Sequence, residues 1–203
     1  MAWKWYLLAV AIFALVPTGA RSQDRPAGEV VAVVGMASVV RTNARETLRK
    51  GTRLAVGDRI VTGAGARVSV RLIGGATLIV GPRSEVRMRS ADRWGRRRTV
   101  AMTVIFGIVR TVAPPTHRSA LEIWTSTAIA SVRHTVWIVS VTARGTAVFA
   151  AEGTVDVRDR RSGKVHVLSQ GNGVDLLNDG RTLGPRSWGA GRVQRVLAAT
   201  TAP

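Results

Sequence analysis

Val155-Asp156-Val157-Arg158 and Val165-His166-Val167 flank the polar stretch Asp159-Arg160-Arg161-Ser162-Gly163-Lys164, and this run decides the architecture. Apolar and polar residues alternate on both sides of it, the period of two that a strand shows when one face of its sheet is wet. The stretch between them holds a glycine, so the two runs are expected to pair as a hairpin. Val68-Ser69-Val70-Arg71-Leu72 repeats the signature. Four more runs, Val30 to Val34, Ala76 to Val80, Val104 to Val109 and Val136 to Val141, are apolar on both faces and rich in β-branched residues. They predict strands covered on both sides.

Glycine punctuates this pattern from Gly35 to Gly171 at intervals of roughly ten residues. Many short strands with regular turn signals predict an all-β fold, either a sandwich or a stack of short coils like a β-solenoid, with little helix. Only Arg192 to Ala199 carries helix formers in sequence, and it is short for an independent helix. Two breaks mark boundaries. Ser90 to Thr99 is densely charged and predicts an exposed loop or hairpin tip, and Ala113-Pro114-Pro115 ends a strand because adjacent prolines supply no ladder donors. Two halves would then meet near residues 90–118. From residue 178 to 203 Gly and Pro alternate with Arg before an Ala-Thr-rich end, which predicts a loosely ordered tail.

Ahead of the strands, residues 1–20 have the order of a secretory signal peptide: Lys4, an apolar run from Trp5 to Val16, then Pro17-Thr18-Gly19-Ala20, with cleavage expected after Ala20. An uncleaved anchor is the alternative, but the apolar run is about 12 residues where a span needs roughly 20. The chain is therefore expected to be exported, periplasmic or secreted, with no transmembrane span after cleavage. The mature part, about 183 residues, is long enough to bury ~70% of its unfolded surface without staples. Cysteine is absent, which excludes disulfides, thiol catalysis and Cys-ligated zinc.

The 203-residue chain carries 30 basic and 12 acidic residues, a net +18, and loss of Lys4 with the leader leaves +17. That field attracts polyanions, which outside the cytosol means anionic lipid head groups, acidic glycans or an acidic protein, and not nucleic acid. All basic residues but Lys4, Lys50 and Lys164 are arginine, so a compositional origin of the excess stands beside a functional one. Catalytic signatures are missing: no G-x-S-x-G, H-E-x-x-H, phosphate loop or dinucleotide fingerprint occurs. Glu122, Glu152 and Asp156 are carboxylates that glycan hydrolysis would need in a pair, and the sequence does not show two of them facing each other. We expect no enzyme activity, cofactor or metal.

From about Glu29 to Leu177 the chain resembles a FecR domain, the periplasmic sensory module of bacterial cell-surface signalling. Leu54-Ala55-Val56-Gly57-Asp58-Arg59-Ile60-Val61-Thr62-Gly63 is similar to the family's L-x-x-G-D-x-I-x-T-G element. Leu78 to Ser84, Gly107 to Arg110 and Glu152 to Val157 follow the later strand patterns. Thr125 to Trp137 is similar to T-P-x-A-x-x-x-V-R-G-T-x-W, matching at Thr125, Ala128, Val132, Arg133, Thr135 and Trp137. Ser126 stands where proline is usual and His134 where the family has glycine. The resemblance implies a structural role for Gly57, Asp58, Ile60, Thr62, Gly63, Thr125, Val132, Arg133, Thr135 and Gly153, and turn chemistry at Gly57-Asp58 and Thr62-Gly63 agrees with it. Arg133 leaves two readings open, an internal pair with Asp58 or Glu152 and an outward contact with a partner. His134 is either a ligand-facing group or a tolerated substitution.

The candidate binding residues are Arg87, Arg89, Arg93, Trp94, Arg96, Arg97 and Arg98, together with Arg133 and His134. Guanidinium forks suit phosphate and carboxylate, and an exposed Trp beside them suits a head-group interface or a sugar; a solvated loop is the alternative. The resemblance implies relay of receptor occupancy through a membrane-spanning regulator to a sigma factor. This chain is expected to act there as a soluble noncatalytic module binding an envelope protein, by strand addition at an exposed edge. An arginine-driven binder of polyanionic glycan or lipid is the competing class.

Overall fold

The computed structural model describes residues 25–42, 44–94, 97–113, 119–132 and 135–203, so the leader predicted at 1–20 lies outside it. Among these residues the strands are β1 (Pro26–Val34), β2 (Ala37–Arg41), β3 (Ala44–Thr47), β4 (Arg53–Ala55), β5 (Arg59–Thr62), β6 (Arg67–Leu72), β7 (Thr77–Val80), β8 (Glu85–Trp94), β9 (Arg97–Val112), β10 (Ser119–Trp124), β11 (Ala128–Val132), β12 (Val136–Thr142), β13 (Gly145–Glu152), β14 (Val155–Asp159), β15 (Val165–Leu168), β16 (Asn172–Leu177) and β17 (Thr182–Ser187); one helix, α1 (Ala190–Ala199), follows. The all-β expectation holds.

The strands form two layers. One runs β4-β1-β6-β7-β9-β12-β13-β16-β17 and the other β3-β2-β5-β8-β9-β10-β11-β14-β15. All pairs are antiparallel except β9 with β10. A single apolar core joins the layers, with Val30, Val68, Val80, Trp137 and Val148 from the first packed with Val39, Ile60, Met88, Ile123 and Val157 from the second. Of the two architectures expected, the sandwich describes this arrangement, and hydrogen bonding links every strand into one folded sheet.

β9 belongs to both layers. Its first part pairs with β8 and β10, and from Gly107 onward it pairs with β7 and β12. Gly107 makes the crossing at φ 97°, where a Cβ would collide with Ser84. Ser84 Oγ fills that space and accepts from Ile108 N at 2.9 Å. Thr62 Oγ1 completes the corner, donating to Gly81 O at 2.7 Å and accepting from Ser84 N at 2.8 Å.

The opening hairpin forms as expected, but one of its strands shows the opposite face. Val155 and Val157 point into the core, and directly opposite residues share a face, so the register Val155↔Leu168 and Val157↔His166 turns His166 and Leu168 inward. Val165 and Val167 are 44% and 58% exposed. The register is set by Asp159, whose carboxylate accepts from Arg161 N, Ser162 N and Ser162 Oγ and so fixes the turn. Of the four runs expected to be covered on both sides, two are: in β12 Trp137, Val139 and Val141 face the inner core and Ile138 faces α1, and in the run 76–80 Leu78, Ile79 and Val80 are all buried. Val34, Ile105 and Phe106 are exposed, so the runs at 30–34 and 104–109 are only partly covered.

Residues 178–203, expected as a loosely ordered tail, instead carry β17 and α1. Val193, Val196 and Leu197, spaced to one helix face, pack on Ile138, Phe149 and Trp188 against the outer surface of the first layer. Phe149 and Trp188 stack at 4.9 Å, and the Arg192 guanidinium lies 3.4 Å from the Trp188 ring. Propensity alone could not announce this, because the stability of so short a helix comes from the apolar floor beneath it. We call the layer under α1 the helix-side layer and the other the open layer.

Candidate interaction face

The outer surface of the open layer has no covering element among the described residues. Its register sets one row of side chains across it: Val40, Arg59, Arg87, Thr103, Trp124, Ile129, Arg158 and Val165. Alternation sends these outward while Val39, Ile60, Met88, Ile123 and Val157 fill the core. Trp124 is the centre of the row. The Arg89 guanidinium lies 4.3 Å above its ring and that of Arg160 5.8 Å away, close enough for cation–π attraction. Arg160 is held there by donating to Thr125 O at 2.7 Å and Ser126 O at 3.1 Å. Arg59 is neutralised by Glu85 at 2.7 Å.

The neighbouring row is acidic. Glu122, Ser131 and Asp156 pair in register, with exposed Val167 beyond them, and Glu122 and Asp156 line a shallow depression of about 520 Å³. The two carboxylates raised as hydrolytic candidates therefore share a surface, two strand spacings or ~10 Å apart. The depression is open to solvent, while Glu152 lies exposed at the end of β13 on the other layer. Basic-aromatic and acidic stripes side by side suit recognition of a surface with complementary stripes. The open layer ends at β15, which among the described residues has a ladder partner on one side only and presents Val165 and Val167 there.

Of the residues singled out in the sequence, Arg87 and Arg89 stand exposed on this face. Arg93 and Trp94 pair with Arg98 and Arg97 at the β8–β9 tip, so this segment is the expected hairpin tip. Arg96, Arg133 and His134 lie outside the described residues. Asp58 does not await Arg133: its buried carboxylate accepts from Arg41 Nε at 3.2 Å and Ala55 N at 3.0 Å, and Arg41 also reaches Glu46 and Arg53 O. Gly57, at φ 98°, makes the turn before it, and Ile60 is wholly buried. Gly63 N donates to Met36 O at 2.8 Å. In the second half Thr125 Oγ1 accepts from Ala128 N at 2.8 Å and Thr146 Oγ1 at 2.7 Å, tying the open layer to β13. Val132 is buried, Thr135 Oγ1 donates to Thr154 O at 3.0 Å, and Gly153 turns at φ 71°. Sequence reading missed Trp124, Arg158 and Arg160; the alternation Leu121-Glu122-Ile123-Trp124 was the available sign of an outward Trp.

Residues 58–156 match the family model described as FecR protein. This segment resembles a FecR domain. The match runs from the buried Asp58 just before β5 to Asp156 in β14, so the matched segment supplies the centre of both layers, and β1–β4, β15–β17 and α1 add the flanks. Two crystal structures of a candidate anti-sigma factor from Parabacteroides distasonis ATCC 8503, at 1.65 and 2.50 Å resolution, share the fold. Each has a TM-score of 0.56 and 18% identity over 68% of this chain, and the alignments cover 64% and 63% of those chains. The chain thus spans less than two thirds of their length. No curated protein matches it.

Proposed function

We propose that this protein is a noncatalytic regulatory module of the bacterial envelope that binds a partner protein through the open layer of its FecR domain. The carrying observation is asymmetry: α1 packs on one outer face of the sandwich, while the other, centred on Trp124 between Arg89 and Arg160, carries charged stripes and ends at β15, whose far side has no ladder partner among the described residues. The FecR match supports a place in envelope signalling, and the leader read at residues 1–20 supports export to it. The candidate anti-sigma factors of similar fold point the same way.

Photo-crosslinking in the native envelope tests this reading. A crosslinker at Thr103 or Val167 on the open layer should give one discrete protein adduct, and the same group at Arg195 on α1 should give none. Adducts equally from both faces, or from neither, would reject the open layer as the docking surface. The arginine-driven alternative predicts a different result, retention on lipopolysaccharide that salt above physiological strength abolishes and no protein adduct.

A further inference from the structure

A second basic surface adjoins the open-layer face at Arg160, at the end of the sandwich where the β14–β15 loop meets the β16–β17 turn. A cavity of about 430 Å³ opens there, lined by Arg160, Arg161, Arg181, Gly180, Thr127 and Asp159 among others. The three guanidiniums differ in what they still have to give. Arg181 donates to Asp179 through Nε at 2.9 Å. Arg160 spends Nη1 on Thr125 O and Ser126 O and keeps its other donors. The Arg161 side chain makes no hydrogen bond among the described residues, yet it is not adrift: its guanidinium packs on Gly180, at φ 91°, where a Cβ would collide with Nη1. Asp159 makes no hydrogen bond to this guanidinium, since its oxygens accept from Arg161 N, Ser162 N and Ser162 Oγ, and Asp179, already bonded to Arg181, meets Arg161 through charge alone.

We propose that this cavity is an oxyanion site for a phosphate monoester carried on a sugar-sized body. Planar forks with unspent N–H groups match phosphate oxygens, a dianion answers several guanidiniums better than a single carboxylate, and the volume exceeds what bare phosphate would fill. Gly180 is the positioning element, since the space left by its missing side chain is what the Arg161 guanidinium occupies. The site shares Arg160 with the open layer, but Arg161, Gly180 and Arg181 lie outside that face, so variants at 161 and 180 test it separately from the partner reading.

The probes are glucose 1-phosphate, for a free sugar phosphate, and vesicles of lipid A in phosphatidylcholine, for the same group on a lipid, both at fixed ionic strength. Saturable binding of glucose 1-phosphate, with amide shifts confined to residues 160–161 and 178–182, is expected, and Arg161→Gln should weaken it about tenfold. Gly180→Ala should weaken it similarly by displacing the guanidinium, while Arg87→Gln should leave it unchanged; both Arg161 and Arg87 are exposed, so these variants test binding and not folding. Binding to lipid A alone, lost in Arg161→Gln, supports the site and assigns the lipid source. No saturable binding of either probe up to about 10 mM phosphate groups, or binding that survives Arg161→Gln, or equal weakening by Arg87→Gln, overturns it.

Discussion

Gly107 and Asp58 show how single residues hold the two layers together. At Gly107 the backbone takes a conformation that L side chains rarely adopt, and the space beside it is already occupied by Ser84. Gly107→Ala therefore combines strain with a clash, and a loss of about 2–5 kcal/mol in denaturant unfolding is expected. Asp58→Ala leaves Ala55 N and Arg41 without their acceptor, and about 1–3 kcal/mol should be lost. His166 carries a pH signature. Burial, and next the Lys164 charge, hold its pKa below the usual histidine range against an opposing pull from Asp159. The folded chain then keeps His166 neutral while the unfolded chain takes up a proton near pH ~6.5, so stability should fall as pH drops from ~7 through the folded pKa. His166→Val should flatten that slope in the urea midpoint; an unchanged slope would assign the effect elsewhere. At this scale the turn role of Gly57-Asp58 was legible because the chemistry is local. The partner Arg41 was not, since it sits 17 residues away and only the pairing of β2 with β5 brings it near.

Among the elements, β15 separates what alternation fixes from what it leaves open. Val165-His166-Val167 has a period of two whichever face is buried, so the pattern predicts a strand and favours valine inside. The Asp159 turn sets the other register, and the structure buries histidine. Substitution distinguishes the two faces: Val167→Asp should change stability by no more than about 0.5 kcal/mol, whereas Leu168→Asp, wholly buried, should cost about 3 kcal/mol or more. Val167→His with His166→Val should be tolerated on the observed faces, and would be costly if the faces were as the pattern alone suggests. The helix repeats the lesson. Its apolar stripe is short, and nothing local in the sequence announces Phe149 and Trp188 as its floor. Val196→Asp should cost about 1–3 kcal/mol and expose that floor to a hydrophobic dye.

For the whole molecule, alternation and glycine spacing indicated the fold class, and the family resemblance spanned most of both layers, but neither revealed the face. Trp124 meets Arg89 across 35 residues and Arg160 across 36, by way of β9 and β14, and a sequence read linearly has no means of stacking them. Net charge acts at this scale too: with +18 on the chain, association with an acidic partner should slow as salt shortens the reach of that field, and stopped-flow rates at two ionic strengths would measure it. One strand, finally, governs how the molecule comes apart. Because β9 lends its amides to ladders in both layers, neither layer has an opening route that spares the other. Deuterium uptake along Met102 to Arg110 should therefore wait for global unfolding, and heat should melt the sandwich in one cooperative step, with the two halves of the FecR fold behaving as a single thermodynamic unit.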